Sequence, residues 1–496
     1  MALVSGNILR TPSALRSGAL TGLAQVVLAL AAAGAGALLA QKFGRNAETD
    51  GFLAAYGVYL VLVLAAQAFR MVVVPDLTRA AAEGRLAGES RAFALAFLAL
   101  AVPVSVLVAV FSGPLGDLVT GSLPARSADV AARALAILVP AAFAQLLAAL
   151  AASALAAIDS YGTAAAGFAL GGVAGLAVFA ALADSVGIVA LAWGLAVNAC
   201  VALTVPVVVL LRRHALAGAM PDRVGVAPRL WGLLQGAAVP LALQGCYLLA
   251  LRFAAKLGVG SVTSFSYAYL AASTLVSATA FSLGLISSAP LTRRGVDPEE
   301  AGRHVVHAGW VSLSLVGAAA GVFALVGGRI VRLVLGEQYA GRVGRELGHL
   351  VVYLSPWMIG WMAFAVTFPL VFVARRRRAL LPLALLGFGI CIPLGLGLRA
   401  LWGLPGIAIA VGLSTLVVSL GLMGAVALRT LAVAGLGLAR LALVVGAASA
   451  LAFGGLALAL PDVPAALLGV LVYALIVYAL RSLGLSDAWA YVRGLH

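Results

Sequence analysis

Gln41-Lys42-Phe43-Gly44-Arg45-Asn46-Ala47-Glu48-Thr49-Asp50-Gly51-Phe52, then an apolar run, then Pro75-Asp76-Leu77-Thr78-Arg79, is the stretch that decides the fold. A short charged turn joins two apolar segments, and a proline-led basic loop closes the second. The same frame returns as Lys256-Leu257-Gly258, an apolar run, and Pro290-Leu291-Thr292-Arg293. Lys42 and Lys256, Gly44 and Gly258, and Leu77 to Arg79 and Leu291 to Arg293 each stand 214 residues apart. Those two lysines are the only ones in the chain. Leu118-Val119-Thr120-Gly121 and Leu333-Val334-Leu335-Gly336 match at nearly the same offset. Fixed-period self-similarity of this kind marks a duplicated unit.

The units are built for lipid. Of 496 residues, 64% are hydrophobic and 10% charged, with a mean hydropathy of +1.12. Soluble domains carry about 25% charged residues. Apolar runs of about 20 residues, enough to cross a bilayer core, recur along the whole length. In lipid, continuous runs without strand-like alternation must be helices. Fourteen spans are expected. Six cover 17–41, 51–74, 92–111, 134–158, 162–183 and 187–211. Six more cover 230–253, 261–289, 305–326, 347–374, 380–398 and 403–428. A final pair, 438–460 and 465–480, lies outside the repeat. The expected fold class is thus an all-α polytopic membrane protein, with two six-helix lobes in parallel repeat plus two C-terminal helices. Its expected divisions are residues 1–213, a cytoplasmic linker 214–229, 230–430, and 431–496.

Charge sets the orientation. The net charge is +15, and 30 of the 32 basic residues are arginine. Most sit in short loops, which is the pattern of topology rather than of nucleic-acid binding. With both termini cytoplasmic, 21 of the 32 fall inside, among them Arg212-Arg213 and Arg375-Arg376-Arg377-Arg378. The turn at Lys42 to Asp50 then faces out. The N-terminal residues lack the long apolar core of a signal peptide, so the first helix is expected to direct insertion. Cys200, Cys246 and Cys391 all lie in apolar runs and offer neither a disulfide framework nor metal spacing.

Two polar stripes are candidates for a substrate cavity. Tyr56, Tyr59, Gln67 and Arg70 fall within about 80° on one helix face. The corresponding span of the second half carries Ser266, Tyr269, Ser273 and Ser277. Gln244, Arg252 and Lys256 add a third set at i, i+8 and i+12. The competing reading makes the tyrosines an interfacial aromatic belt and the cations snorkelling groups. None of the 17 acidic residues lies mid-span, whereas proton pumps and carriers of cations generally need a carboxylate at membrane depth. The cavity should therefore suit an anion such as a pyrophosphate, which guanidinium groups grip bidentately. His304 and His307 lack further ligands, Trp357 and Trp361 suit packing, and Asp159 suits a cap. No P-loop, zinc motif or nucleophile elbow occurs, so no catalytic residue, metal or cofactor is expected.

Phe43-Gly44, Thr49-Asp50-Gly51-Phe52, Ala68-Phe69 and Val74-Pro75 resemble the first two helices of the MurJ/MviN lipid II flippase family. Gly260-Ser261-Val262 and Tyr267-Ala268 are similar to the start of its eighth helix. The resemblance implies membership of the multidrug/oligosaccharidyl-lipid/polysaccharide exporter superfamily, with alternating access for a lipid-linked sugar pyrophosphate in the cytoplasmic membrane. The residues it carries over are Asp50, Pro75 and, by position, Gln67. The family's first-helix arginine is absent from Leu30 to Leu39. Its second-helix Glu-Gly is replaced by Ala66-Gln67, and its eighth-helix Asp-Arg by Tyr269-Leu270.

The expectation is a non-enzymatic flippase for a lipid-linked anionic glycan, with Lys42 and Asp50 in an outer gate. Its partners are the bilayer and that substrate, not nucleic acid, and a monomer is expected. The alternatives are a multidrug or small-molecule antiporter and a non-transporting scaffold for envelope synthesis.

Overall fold

The structure, a computed structural model, describes residues 12–158, 160–216, 225–276, 297–374 and 376–480. Side-chain surroundings are defined for these except at 12–22, 25, 64–72, 75, 161, 226 and 228. Every regular element among the described residues is helical. In chain order they are α1 (Pro12–Phe43), α2 (Ala47–Ala82), α3 (Leu86–Val110), α4 (Ser112–Thr120), α5 (Ala125–Ala157), α6 (Tyr161–Val186), α7 (Ala190–Arg212) and α8 (Val226–Ala255). Then come α9 (Ser261–Val276), α10 (Pro298–Leu335), α11 (Arg342–Tyr353), α12 (Ser355–Val373), α13 (Leu380–Trp402), α14 (Leu404–Val426), α15 (Leu428–Ser449) and α16 (Asp462–Ala479). Among the described residues, eleven stretches are apolar and long enough to cross a membrane, one of them covering both α6 and α7. The protein is an all-α, polytopic membrane protein.

Each expected span falls on a helix over its described residues, with one correction. The span expected at 347–374 is two helices, broken at Leu354. Before the break, α11 is amphipathic: Leu347, Leu350 and Val351 are buried, while Arg342, Arg345, Glu346 and His349 are polar. A helix with that polar face cannot lie in hydrocarbon, and Pro356 in the first turn of α12 starts a new helix.

The chain divides into two compact units. The first comprises Met1–Phe43, Gly51–Thr120 and Pro124–Ala237; the second Gly44–Asp50, Gly121–Leu123 and Ala238–His496. In the first, α5 is the most buried span, with 72% of its most apolar window covered. There α6 and α7 cross closely through Gly175 and Gly194, where a Cβ on Gly175 would stand 2.6 Å from the Gly194 carbonyl. Small residues at such a crossing are what membrane helices use in place of a hydrophobic drive. Of the spans that lie wholly in the second unit, α12 and α14 are the most buried, at 78% and 67%. Several hydroxyls inside spans satisfy themselves on the preceding turn: Ser153 donates to Ala149 O, Ser414 to Ala410 O and Thr415 to Val411 O, at 2.7–2.8 Å. Asp297 caps α10, its carboxylate accepting from the Glu299 and Glu300 amides.

Candidate functional site

The turn quoted at the start is held by its own chemistry. Asn46 caps α2, its Oδ1 accepting from the Thr49 amide at 3.0 Å. That cap places Asp50 in the first turn, where its carboxylate is fully buried. It accepts from the Gly260 amide, the Thr263 amide at 2.8 Å and the Thr263 hydroxyl. Those amides are orphan donors at the start of α9, so Asp50 caps a helix 210 residues away in sequence. Arg45 Nε donates to Gly260 O at 2.8 Å and closes the junction from the other side. Gly260 takes φ +87, and a Cβ there would strike the Arg45 side chain. Gly44, at φ +66, abuts Gln338 in the same way. Burial raises the Asp50 carboxyl above its ordinary 3.8; hydrogen bonds from Thr263 and Gly260 and the Arg45 charge pull it part of the way back.

From that cap a polar stripe runs down α9. Thr263, Ser266, Tyr269 and Ser273 share one face at helical spacing. Tyr247 donates to the Ser266 hydroxyl and Tyr269 to Gln244 Oε1, both at 3.3 Å. Gln244 is buried, and its amide nitrogen has no hydrogen-bond partner among the described residues. A buried, unsatisfied donor is rare enough to call for an explanation. An aromatic ladder lies beside the stripe. Tyr247 stacks on Tyr269 at 4.2 Å and Tyr269 meets Trp357 at 4.6 Å. Trp361, Phe364, Phe368 and Phe372 follow along α12 at 5.0–5.5 Å between ring centres.

The structure brings together only part of the expected set. Gln244 and Tyr269 meet, with Ser273 further along the same helix; Arg252 and Lys256 are exposed at the end of α8 instead of sharing the burial of Gln244. At a helix end long cationic side chains can snorkel toward the interface. In the first unit Tyr59 is buried and Tyr56 partly exposed, their rings stacked at 5.6 Å. Lys42 pairs with Asp184 at 2.6 Å, within the first unit. The side-chain surroundings of Gln67 and Arg70 are not described, and Ser277 lies outside the described residues.

A feature that sequence reasoning missed lies in the second unit. An apolar groove of about 390 Å³ runs between α10, α12 and α15, lined by residues including Gly317, Gly321, Ile359, Val445, Gly446 and Phe453. The helix of α15 passes into a π turn at Ala450–Gly454, which aims Phe453 at Gly321 and Gly469. Tyr473 donates to Ser314 O at 2.7 Å and Ser449 to Gly317 O at 2.9 Å, fixing the walls. The signal available in the sequence was Gly317-x-x-Ala320-Gly321-x-x-Ala324, a small-residue stripe within one span. Among the described residues no group of three metal-ligating side chains comes together.

No family model matches the chain, and no curated protein matches it by sequence. Its fold is similar to that of the lipid II flippase MurJ in an inward closed conformation, with a TM-score of 0.71 at 15% identity over 93% of this chain and 99% of that one. It is also similar to an inward-facing multidrug resistance MATE family transporter of the MOP superfamily, with a TM-score of 0.61 at 14% identity over 84% and 95%. A MOP superfamily transporter from Pyrococcus furiosus gives 0.57 at 13% identity over 86% and 95%. At such identities the likeness is one of fold.

Proposed function

We propose that this protein is a flippase that carries a polyprenyl-pyrophosphate-linked saccharide across the cytoplasmic membrane by alternating access. The lobes are residues 1–213 and 230–430, with 431–496 as the additional helices and both termini cytoplasmic. The observation that carries this reading is the apolar groove in the unit that also holds the buried polar stripe. A substrate with a polar head and a long hydrocarbon tail needs both surfaces; a soluble drug needs no such trough. The scarcity of mid-span carboxylates further favours an anionic cargo over a cationic one.

In this mechanism the head group meets Gln244, Tyr269 and Ser273, with Tyr56, Tyr59, Gln67, Arg70, Arg252, Lys256 and Ser277 as the remaining candidates. Gln244 supplies one donor that has no protein partner among the described residues. Asp50 and Lys42 act in the outer gate, where release of α9 from the Asp50 cap is the opening step. The fold similarity to a lipid II flippase is consistent with this cargo class.

The test is transport by purified protein in proteoliposomes, scored with a fluorescent polyprenyl-pyrophosphate glycan, alongside rescue of cells depleted of their lipid II flippase. Gly446 and Gly454 line the groove and have open space where a Cβ would stand. Gly446→Leu and Gly454→Leu should therefore fill the groove without disturbing the fold, and abolish flipping. Parent-rate transport by both variants would refute the tail-groove reading. Resistance to cationic dyes on expression, without glycolipid flipping, would select the antiporter instead.

A further inference from the structure

The turn between α12 and α13 carries a charge that no carboxylate among the described residues neutralises. Arg375-Arg376-Arg377-Arg378 fills almost the whole connection, and no Asp or Glu occurs anywhere between Glu346 and Asp462. Several basic groups elsewhere in the structure find carboxylates: Arg79 pairs with Asp76, Arg85 with Glu83, Arg229 with Glu89, and both Arg303 and Arg429 with Glu299. Arg376, Arg377 and Arg378 are exposed and, among the described residues, have no such partner.

The arginines also stand at the wrong end of a helix. They lead through the single turn Arg377–Ala379 into the first turn of α13, whose N-terminus has no side-chain cap. That end carries about half a positive charge of its own, so cations placed there are disfavoured unless an anion joins them. One of the three is nevertheless anchored. The Arg377 guanidinium lies over the Phe372 ring at 5.2 Å, and Phe372 ends the aromatic ladder that climbs α12 from Trp357. A guanidinium held in this way loses little entropy on binding.

Below the arginines α13 presents an apolar face. Leu381, Leu385, Phe388, Ile392 and Leu396 recur at helical spacing and are all exposed, Leu385 at 67%. Both flanking helices are long and apolar enough to span the bilayer, so the turn lies at its surface and this stripe runs along the acyl chains.

We propose that Arg376, Arg377 and Arg378, above the exposed stripe of α13, form a binding site for one anionic phospholipid of the adjacent leaflet. The phosphate sits among the guanidiniums, whose planar forks match its oxygens. The acyl chains lie along Leu381, Leu385 and Phe388. This site is separate from the polar stripe and the groove, and it stands or falls independently of the transport reading.

The test uses the full chain purified in detergent, with phosphatidylglycerol or phosphatidylcholine added and binding read by native mass spectrometry. Wild type should prefer phosphatidylglycerol. Its affinity should fall at least about tenfold in the triple variant R376Q/R377Q/R378Q, given roughly one small electrostatic increment per arginine. Binding of phosphatidylcholine should not change, and R376K/R377K/R378K should retain most of the preference. Equal phosphatidylglycerol binding by wild type and the glutamine variant overturns the proposal, as does equal binding of the two lipids by wild type. If the glutamine variant fails to fold, the salt series on wild type decides: phosphatidylglycerol binding must weaken with salt while phosphatidylcholine binding stays level. A flat response overturns the site.

Discussion

Two carboxylates, Asp50 and Glu89, each hold the start of a later helix, by opposite means. Asp50 is buried in the second unit and accepts from backbone amides and a hydroxyl at the head of α9. Glu89 belongs to the first unit and grips the Arg229 guanidinium at 3.0–3.2 Å at the head of α8, with the side chains 18% and 19% exposed. Arg229 also lies over Phe93 at 5.5 Å, and Arg91 donates to the Leu216 carbonyl nearby. Water cannot replace the Asp50 cap without the site opening. It can partly replace Glu89. The Asp50 junction is therefore an all-or-none contact suited to a gate, and the Glu89 pair a tunable clasp.

Asp50→Ala should have the largest effect. Three buried donors would lose their acceptor, each at about 1–3 kcal/mol, so destabilisation of at least about 3 kcal/mol is expected. Hydrogen exchange at the first amides of α9 should rise by more than a hundredfold; unchanged protection would show that Asp50 caps nothing. Gly260→Ala comes next, at about 1–3 kcal/mol, because an L-residue is strained at φ +87 and crowds Arg45. Thermal unfolding in detergent reads this directly, and Gly84→Ala serves as a control with positive φ but open space.

Glu89→Gln should cost only about 1 kcal/mol, since a partly exposed pair is screened. A double-mutant cycle with Arg229→Gln measures the coupling, and a value near that of the Asp50 junction would erase the distinction drawn above. The smallest effect expected is pH dependence. If the Asp50 junction is the gate proposed here, closing it buries Asp50 and raises its carboxyl, so the closed state binds a proton more readily than the open one. Acidification should then favour closure, in the window from the ordinary 3.8 up to the raised value. A cysteine-accessibility series near Gly258 can follow this, and protection that falls on acidification would contradict it.

The positions of these elements were legible to different degrees. The Lys42 to Asp50 turn and its counterpart at Lys256 could be read because glycines at positive φ and charges punctuate an otherwise apolar text. In the structure Gly44 and Gly258 both adopt positive φ. That Asp50 reaches Gly260 and Thr263 could not be read, since nothing local records a hydrogen bond across 210 residues. The trio Gln244, Arg252 and Lys256 is divided into a buried amide and two exposed cations for a related reason. Helical spacing puts side chains on similar faces but does not say how deep each lies. The break at Leu354 was hidden by hydropathy averaging across α11 and α12.

By itself the sequence determined that this chain is a helical membrane protein with a duplicated frame, because lipid leaves the backbone no other option and length alone sets a span. The tertiary structure alone decided which polar groups are buried together, where a groove opens between α10 and α15, and which helix Asp50 caps. Those outcomes depend on contacts between helices, and in an Ala-, Leu- and Gly-rich chain many such contacts are chemically alike until packing selects among them.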